Sequence, residues 1–413
     1  MKWKRLLYAC LLAAVPALLG CGNTPAPSAP PAPTPVILEP SATASAENEQ
    51  TPFVPGEHTA EAVFINVGKA DAALLSLDGK HYLIDTGTED SVPSLFAALN
   101  ILGITKLDGV FLTHTHSDHI GGMTALGRYY SVERLYAAVH SENRKNGKNK
   151  ITELSEELDL PLTRLSAGET VPVGNGLFLE VLGPLVLNTE DDNDNSLLLR
   201  LNVNGHTLLF TGDMQFAEEQ TLLDAGIALS AQLLKVGNHG NPDATGDEFA
   251  ARVSPSVAVI STDTAVDTDS ANPRVIAALQ NARVLLTQDY ERGILFRIPA
   301  PGNPLVPEPL PVQQPTLTLT VVSVDRESQT AVIQNDGEGE ADVSGCVLLS
   351  KKGGESFRFP EGSILPAGGR AVVSGQGGAG DYAFIGEDKP WNKKKADPAY
   401  LYDRFGNLLS KLD

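Results

Sequence analysis

The chain has 413 residues, of which 42% are hydrophobic and 20% are charged, and these proportions are typical of globular protein with room for two or more domains. The formal net charge of −20 argues against broad electrostatic binding of nucleic acid or of an anionic membrane, because such binding depends on clustered lysine and arginine.

The first 57 residues predict an export signal followed by a tether. Three basic residues precede an apolar run at 6–19, which is too short for a comfortable membrane span. The run ends in LLGC, which resembles the lipobox of bacterial lipoproteins and implies a signal peptide at 1–20 and a lipid on Cys21; an ordinary cleaved signal is the alternative. Residues 21–57 are rich in Pro, Ala, Ser and Thr and predict a disordered tether. We therefore expect the mature protein on the extracellular face of the cell membrane, anchored by lipid, with Cys346 unable to form an internal disulfide.

The next segment predicts a series of short apolar strands. The sequence AVFINVGKADAALL, residues 62–75, predicts two strands around a glycine turn, and a third strand ends in LIDTG at 83–87. Helical spacing with a possible cap at Ser91 predicts a helix over Ser91–Leu102. The apolar run Val110–Leu112 then predicts a buried strand.

Directly after that strand comes HTHSDH, residues 114–119, which places four potential metal ligands within six residues. Because side chains alternate along a strand, we expect His114 and His116 to leave the strand end on the same side and to bind one ion. Asp118 and His119 lie past the strand end, where a turn can direct them to a second ion. A polar loop without metal is the alternative, but three of only eight histidines meet here, and the pattern predicts a dinuclear site.

HTHSDH followed by IGG resembles the HxHxDH signature of the metallo-β-lactamase superfamily. NVGKADA and LIDTG resemble the DVGQGDA and LIDTG motifs of one branch, the hydrolase domain of ComEC DNA-uptake proteins. The resemblance implies that Asp85 supports the ligand loop from behind and that Asp71 matches the motif, whereas Asn66 and Lys69 depart from it. The implied fold class is α/β, a metallo-β-lactamase αββα sandwich.

Two later segments resemble the remaining family motifs. Asn204-Gly205 predicts a hairpin whose return strand leads into TGD at 211–213, and LKVGNHG at 234–240 resembles LKVxHHG. The resemblance implies that Asp213 bridges two ions and that His239 completes the second set. The implied ligands are His114 and His116 for metal one, Asp118, His119 and His239 for metal two, and Asp213 between them.

Several positions depart from the family pattern. Asn238 stands where relatives carry a histidine and is expected to support the site without binding metal, and Asn272 replaces another histidine, so two candidate proton donors are missing. No histidine stands at the position of the third protein ligand of metal one. The segment 193–196 is the nearest match to that position. His140 is expected to be structural and His206 exposed.

The resemblance implies two divalent ions, with zinc favoured because it binds imidazole and carboxylate, and with manganese as the alternative. It implies an extracellular, membrane-anchored phosphodiesterase or nuclease that uses a metal-bridging hydroxide, with Asp118 and Asp213 as the catalytic carboxylates and DNA as the family-guided substrate. The alternatives are a hydrolase of another ester, such as a choline-phosphate, a cell-wall phosphodiester or a β-lactam, and a non-catalytic surface binding protein.

The rest of the chain predicts a second domain. The hydrolase domain is placed at 58–300, a Pro-rich linker at 301–315 and alternating short strands at 316–413, which are typical of a small all-β immunoglobulin-like sandwich. Residues 332–413 resemble a lamin-tail domain through IQNDGEGEADVSGCVL and PAYLYDRFGNLLS, which implies a binding or spacing module with an unknown partner. Cys346 stands where that family has Trp and is expected to be a small buried hydrophobe. The basic loop at 144–150 is expected to be a solvated turn in preference to a phosphate-contacting loop.

Overall fold

The computed structural model describes residues 58–140 and 149–413. The predicted signal peptide, Cys21, the tether up to residue 57 and residues 144–148 of the basic loop lie outside these ranges. Within the described ranges, no helix combines the length and the apolar character needed to cross a bilayer.

The region up to residue 309 is built on two large sheets. Its strands are β1 (Ala60–Ile65), β2 (Ala73–Leu77), β3 (Lys80–Ile84), β4 (Lys106–Leu107), β5 (Gly109–Leu112), β6 (Ser131–Val132), β7 (Leu135–Ala138), β8 (Leu162–Leu165), β9 (Thr170–Gly174), β10 (Leu177–Gly183), β11 (Leu198–Val203), β12 (His206–Phe210), β13 (Leu233–Lys235), β14 (Val257–Ile260), β15 (Arg283–Leu286), β16 (Gly293–Arg297) and β17 (Pro307–Pro309).

The two sheets pack face to face. The first has the order β17-β16-β1-β2-β3-β5-β7-β8 and the second β15-β14-β13-β12-β11-β10-β9, while β4 and β6 form a separate pair. Their inner faces meet in one apolar cluster, in which the rings of Phe64 and Phe210 stack with centroids 6.0 Å apart. Burial of these apolar faces is the main stabilising contribution to the sandwich.

Helices cover both outer faces of the sandwich. They are α1 (Val92–Ile101), α2 (Ser117–Ile120), α3 (Met123–Tyr129), α4 (Lys150–Glu157), α5 (Phe216–Asp224), α6 (Asp247–Val253) and α7 (Pro273–Ala278). Apolar residues of α1, α3 and α4 pack on the first sheet, and those of α5, α6 and α7 pack on the second. The predicted αββα arrangement is therefore confirmed.

Local sequence accounts for several of these elements. Each residue of β5 is buried, as expected for an apolar strand covered on both faces. Helix α1 has a proline in its first turn, where a missing N–H costs nothing, and it confirms the predicted helix. Asn204 and Gly205 both take positive φ angles, 50° and 74°, which lets two residues close the predicted β11–β12 hairpin.

The C-terminal region is all-β, as predicted. Its strands are β18 (Leu319–Asp325), β19 (Thr330–Asn335), β20 (Ala341–Asp342), β21 (Val347–Ser350), β22 (Glu355–Arg358), β23 (Ile364–Leu365), β24 (Arg370–Ser374), β25 (Tyr382–Ala383), β26 (Ala399–Tyr402) and β27 (Leu408–Leu412). Two four-stranded sheets, β18-β19-β24-β25 and β22-β21-β26-β27, enclose an apolar cluster. Cys346 is buried in that cluster, as expected, and burial raises the pKa of its thiol to about 12.

The Pro-rich segment placed at 301–315 contributes structure to the first sheet, because β17 pairs with β16 at its edge. Strand β17 has proline at both ends, and proline has no N–H group to donate to a neighbouring strand. Such a strand is tolerated at the edge of a sheet, where it pairs on one side only.

The C-terminal region packs against α1 and α3. Arg128 forms an ion pair with Glu355 at 3.1 Å, and Asn100 donates to the backbone oxygen of Arg404 at 2.8 Å. Val347 belongs to the same apolar cluster as the residues of these two helices. Apolar and polar contacts together therefore join the β-rich region to the helical face of the sandwich.

Candidate metal centre

The predicted ligands lie beyond the carboxyl ends of neighbouring strands. Asp85 follows β3, the 113–119 segment follows β5, Asp213 follows β12 and His239 follows β13. Strands β3 and β5 run parallel, as do β12 and β13. Carboxyl ends of parallel strands meet at one edge of a sheet, so both sheets direct polar side chains to the same end of the sandwich.

Four of the predicted ligands form a compact cluster. Asp118, His119, Asp213 and His239 each offer one ligand atom, and these atoms lie within 4.8 Å of one another. The Oδ2 atom of Asp213 is 3.1 Å from Nε2 of His119 and 3.2 Å from Nε2 of His239, and Oδ2 of Asp118 is 3.4 Å from Nε2 of His239. This is the set predicted for the second ion together with the bridging carboxylate.

The cluster has the properties of a metal site. Nε2 of His114, His119 and His239 and Oδ1 of Asp213 are buried and have no hydrogen-bond partner within the described part of the chain. Each buried polar atom without a hydrogen-bond partner lowers the stability of the fold by about 1–3 kcal/mol. Four such atoms at one place therefore indicate a site that binds a ligand. Imidazole nitrogens and carboxylate oxygens at this separation fit a divalent ion such as zinc.

His114 and His116 lie on the same side, but for a different reason from the one predicted. Strand β5 ends at Leu112, so both histidines lie on the loop before α2 and not on the strand. Their ring centroids are 4.6 Å apart, and the ring of His114 is 4.1 Å from that of His119. The loop therefore brings the two predicted ligands of metal one beside the four-ligand cluster.

Asp85 orients the ligand loop from behind. Its carboxylate accepts hydrogen bonds from the Thr113 backbone N–H at 2.8 Å and the Thr113 hydroxyl at 2.7 Å, and it lies 2.7 Å from Nδ1 of His119. A hydrogen bond between Nδ1 and a carboxylate fixes the ring and leaves Nε2 for a metal. The structure thus places Asp85 behind the 113–119 segment, in contact with Thr113 and His119.

A strained turn presents His239. Asn238 and His239 take φ angles of 41° and 51°, in the left-handed region where Asn and His are enriched among residues with a side chain. Nδ1 of His239 donates to the backbone oxygen of Ser261 at 2.8 Å, and since a carbonyl can only accept, Nδ1 carries the hydrogen and Nε2 is free to bind an ion. The Asn238 amide donates to Asp243 at 2.9 Å, so Asn238 supports the turn.

Comparison with known proteins agrees with this geometry. Residues 65–264 match the family model described as Metallo-beta-lactamase superfamily. The chain has the metallo-β-lactamase fold. It is 25% identical over 253 residues to ComE operon protein 3 of Bacillus subtilis (strain 168), a match that covers 57% of this chain and 32% of that protein. It is 30% identical over 207 residues to Competence protein ComA of Neisseria gonorrhoeae, covering 50% and 27% respectively.

The chain thus spans about a third or less of the length of these curated relatives. Among solved structures, the metallo-beta-lactamase fold protein YhfI from Bacillus subtilis aligns with a TM-score of 0.41 and 13% identity, over 57% of this chain and 98% of that one. The fold and the ligand cluster together indicate a metal-binding site.

Neighbouring charges and burial set the ionisation of the side chains in this site. Burial opposes ionisation of Asp213, but His119 and His239 hold the pKa of its carboxyl well below the usual range. Burial acts against a charge on His239 too, yet Asp213 and Asp118 raise its pKa to about 9. Burial holds the pKa of His114 well below its usual value. Although burial acts against it, Asp213 and Asp85 also hold the pKa of His119 well above its usual value, so protons on His119 and His239 occupy positions that a divalent ion would take.

A buried lysine was missed by sequence reasoning. The ammonium of Lys235, which is 4% exposed, contacts the carboxylate of Asp71, donates to the backbone oxygen of Gly212 at 2.9 Å and lies 3.8 Å from Oδ1 of Asp213. Asp71 in turn lies 3.7 Å from Nδ1 of His119. The sequence signal for this contact was a lysine in the otherwise apolar strand LLK. A lysine that is buried there needs a carboxylate partner.

The segment suggested as the third ligand of metal one has a different role. The backbone N–H of Asp213 donates to the Ser196 hydroxyl at 2.9 Å, and the same hydroxyl is 3.4 Å from Nδ1 of His114. One oxygen of Asp192 accepts both the backbone N–H of Thr115 at 2.9 Å and its hydroxyl at 2.6 Å. The 192–196 segment therefore braces the ligand loop through hydrogen bonds.

The other singled-out side chains lie outside the ligand cluster. His206 is buried, so the expectation that it is exposed is wrong; the hairpin tip is covered by residues near Pro301. Asn272 accepts the backbone N–H of Arg274 at 3.0 Å and caps α7. His140 follows β7 and is partly buried.

Proposed function

We propose that this protein is a dinuclear metal-dependent phosphodiesterase whose substrate is a nucleic acid such as DNA. The observation that carries the proposal is the convergence of Asp118, His119, Asp213 and His239 within 4.8 Å, with partnerless buried nitrogens beside them. The resemblance of NVGKADA and LIDTG to the hydrolase domain of DNA-uptake proteins supports nucleic acid as the substrate class, and two of the similar proteins are named ComE operon protein 3 and Competence protein ComA.

Some of these residues would bind the ions, and others orient the residues that bind them. His114 and His116 would hold one ion, Asp118, His119 and His239 would hold the other, and Asp213 would be shared by both ions. When bound, two divalent ions supply an activated water nucleophile and offset the charge that builds on the phosphoryl oxygens.

Three contacts keep this arrangement fixed before substrate arrives. Asp85 and the Ser261 carbonyl hold the Nδ1 atoms of His119 and His239, so that both Nε2 atoms face the cluster. Ser196 holds the backbone of Asp213. Such preorganisation removes reorganisation from the reaction step.

The test is hydrolysis of bis(p-nitrophenyl) phosphate by the full-length chain in detergent, with added zinc or manganese. Asp213→Ala removes the shared carboxylate and should lower turnover by at least about a hundredfold. Asp224→Ala is the matched control, since this exposed aspartate contacts Gln220 on α5 and lies outside the ligand cluster. Protein that is folded and loaded with metal but shows no turnover would refute the phosphodiesterase and favour another ester or a binding role.

The location outside the cell is proposed from the N-terminal sequence. An apolar run ending in LLGC supports lipid attachment at Cys21. Cys21→Ser should move the protein from the membrane fraction to the soluble extracellular fraction. Retention of the variant in the membrane fraction would show that another segment anchors it.

The C-terminal β region is proposed to be a lamin-tail module that spaces or positions the hydrolase. The motifs at 332–413 and the packing of this region on α1 and α3 support that role. Arg128→Ala removes the ion pair to Glu355 and should lower the urea midpoint of the full-length protein. An unchanged urea midpoint would show that this ion pair does not stabilise the packing of the C-terminal β region on α1 and α3.

A further inference from the structure

Lys69 lies on the solvent side of the ligand cluster, in the turn between β1 and β2. Its Nζ atom is 3.0 Å from Oδ2 of Asp118, and that oxygen is also 3.4 Å from Nε2 of His239. The Lys69 and Asp118 side chains are 25% and 21% exposed. The ammonium therefore reaches the oxygen that faces the cluster while remaining accessible from outside.

A purely structural role explains this position poorly. A partly exposed lysine–aspartate pair contributes only about 0–1 kcal/mol, and here the lysine competes with an ion for a predicted metal ligand. The ammonium has three N–H donors, and within the described part of the chain one of them is directed to Asp118. Two donors are therefore open to a ligand that enters from the solvent.

With a divalent ion on Asp118, the ion and the Lys69 ammonium would carry three positive charges against the single negative charge of this carboxylate, so a further anion beside them is favoured. A phosphoryl group provides such an anion, because one of its oxygens can face the ion and another the ammonium. Lysine commonly binds phosphate as a point charge. The resembling family motif has Gln here, so the lysine is a departure of this chain.

We propose that Lys69 is a substrate-binding residue that contacts a non-bridging oxygen of the phosphoryl group beside the ion held by Asp118. The inference rests on the proposed function and narrows it. It makes the site selective for esters that carry a negative charge over neutral esters.

The test compares Lys69→Gln and Lys69→Arg with the parent and with Lys80→Gln. Lys80 is a matched control, because it also pairs with an aspartate, Asp108 at 2.6 Å, but lies at the opposite end of β3 from Asp85. Binding of inorganic phosphate to the zinc-loaded full-length protein is measured by calorimetry, and zinc affinity by competition with a chromophoric chelator.

Lys69→Gln should weaken phosphate binding about tenfold, the usual scale for losing one charge-assisted hydrogen bond, and should leave zinc affinity equal or higher. Lys69→Arg should restore most of the phosphate affinity, and Lys80→Gln should match the parent. Phosphate affinity that is unchanged in Lys69→Gln, weaker zinc binding in that variant, or no phosphate binding by the parent would each overturn the inference.

These readouts separate the two proposals. A parent that binds phosphate through Lys69 but hydrolyses no diester would refute the phosphodiesterase and leave the anion site standing. If turnover is present, kcat/KM for bis(p-nitrophenyl) phosphate should fall about tenfold in Lys69→Gln, while that for p-nitrophenyl acetate should be unchanged.

Discussion

Substitution of Asp85 by asparagine should weaken both the fold and the metal site, although no predicted ligand is touched. The Asp85 carboxylate is 1% exposed and lies within 2.8 Å of two donors of Thr113 and of Nδ1 of His119. An asparagine has one acceptor oxygen, and its NH₂ group cannot accept a hydrogen bond. At least one buried donor therefore loses its partner.

The cost can be worked from these contacts. One buried donor left without an acceptor costs about 1–3 kcal/mol, and loss of the charged partner of His119 places the total near the upper end, about 3 kcal/mol. Because Asp85 also fixes the ring of His119, the affinity for zinc should fall about 10–100-fold. Hydrogen bonding, and not direct coordination, is the cause of both effects.

Two measurements check this prediction. Urea unfolding in the presence of a chelator gives the change in the free energy of unfolding without metal, and chelator competition gives the zinc affinity of the folded protein. Asp224→Asn makes the same chemical change at an exposed site and should alter neither. A stability change below about 0.5 kcal/mol in Asp85→Asn, the usual range of surface substitutions, together with parent-like zinc affinity would refute the reasoning.

Three further predictions concern the supports of the site. Asp192→Asn should weaken zinc binding by the chain, measured by chelator competition, because its Oδ2 holds both the N–H and the hydroxyl of Thr115 between two predicted ligands; parent-like affinity would contradict this. Gly212→Ala should lower the melting temperature, since φ there is +52° and a Cβ would come within 2.8 Å of the Ser196 side chain, whereas Gly226→Ala, with open space, should lower it less. Burial raises the pKa of Glu218 from 4.5 to about 7, so its protonated form stabilises the fold below about pH 4.5 and that contribution is lost as the pH rises through 7. Stability in urea should therefore fall less between pH 5 and 8 in Glu218→Gln than in the parent, and parallel pH profiles would contradict the assignment.

Sequence reasoning predicted the candidate ligands whose motifs are short and contiguous. HTHSDH places four candidate ligands within six residues, so any compact fold of that segment keeps them close together. The reason given for His114 and His116 was wrong, because β5 ends at Leu112, as predicted, and the alternation of strand side chains does not extend into the segment that carries both histidines. Asp213 and His239 were found through resemblance, since a carboxylate after a strand is by itself only a common turn residue.

The supporting contacts could not be predicted in the same way. Lys235 meets Asp71 across 164 positions of sequence, and Asp192 meets Thr115 across 77. Pairings of this kind depend on the register and packing of two different sheets. The burial of His206 was missed for the same reason, because a turn signal describes the hairpin and not the segment that later packs over it.

The sequence by itself determined the alternation of apolar strands and helices, the ligand types and their order along the chain, because local patterns and motifs are written in neighbouring residues. Only the tertiary structure decided which nitrogen of each histidine faces the cluster. It also decided that Lys235 contacts Asp71 and that Lys69 contacts Asp118 from the solvent side. These properties depend on distances between atoms far apart in sequence, and those distances are set when the two sheets pack together.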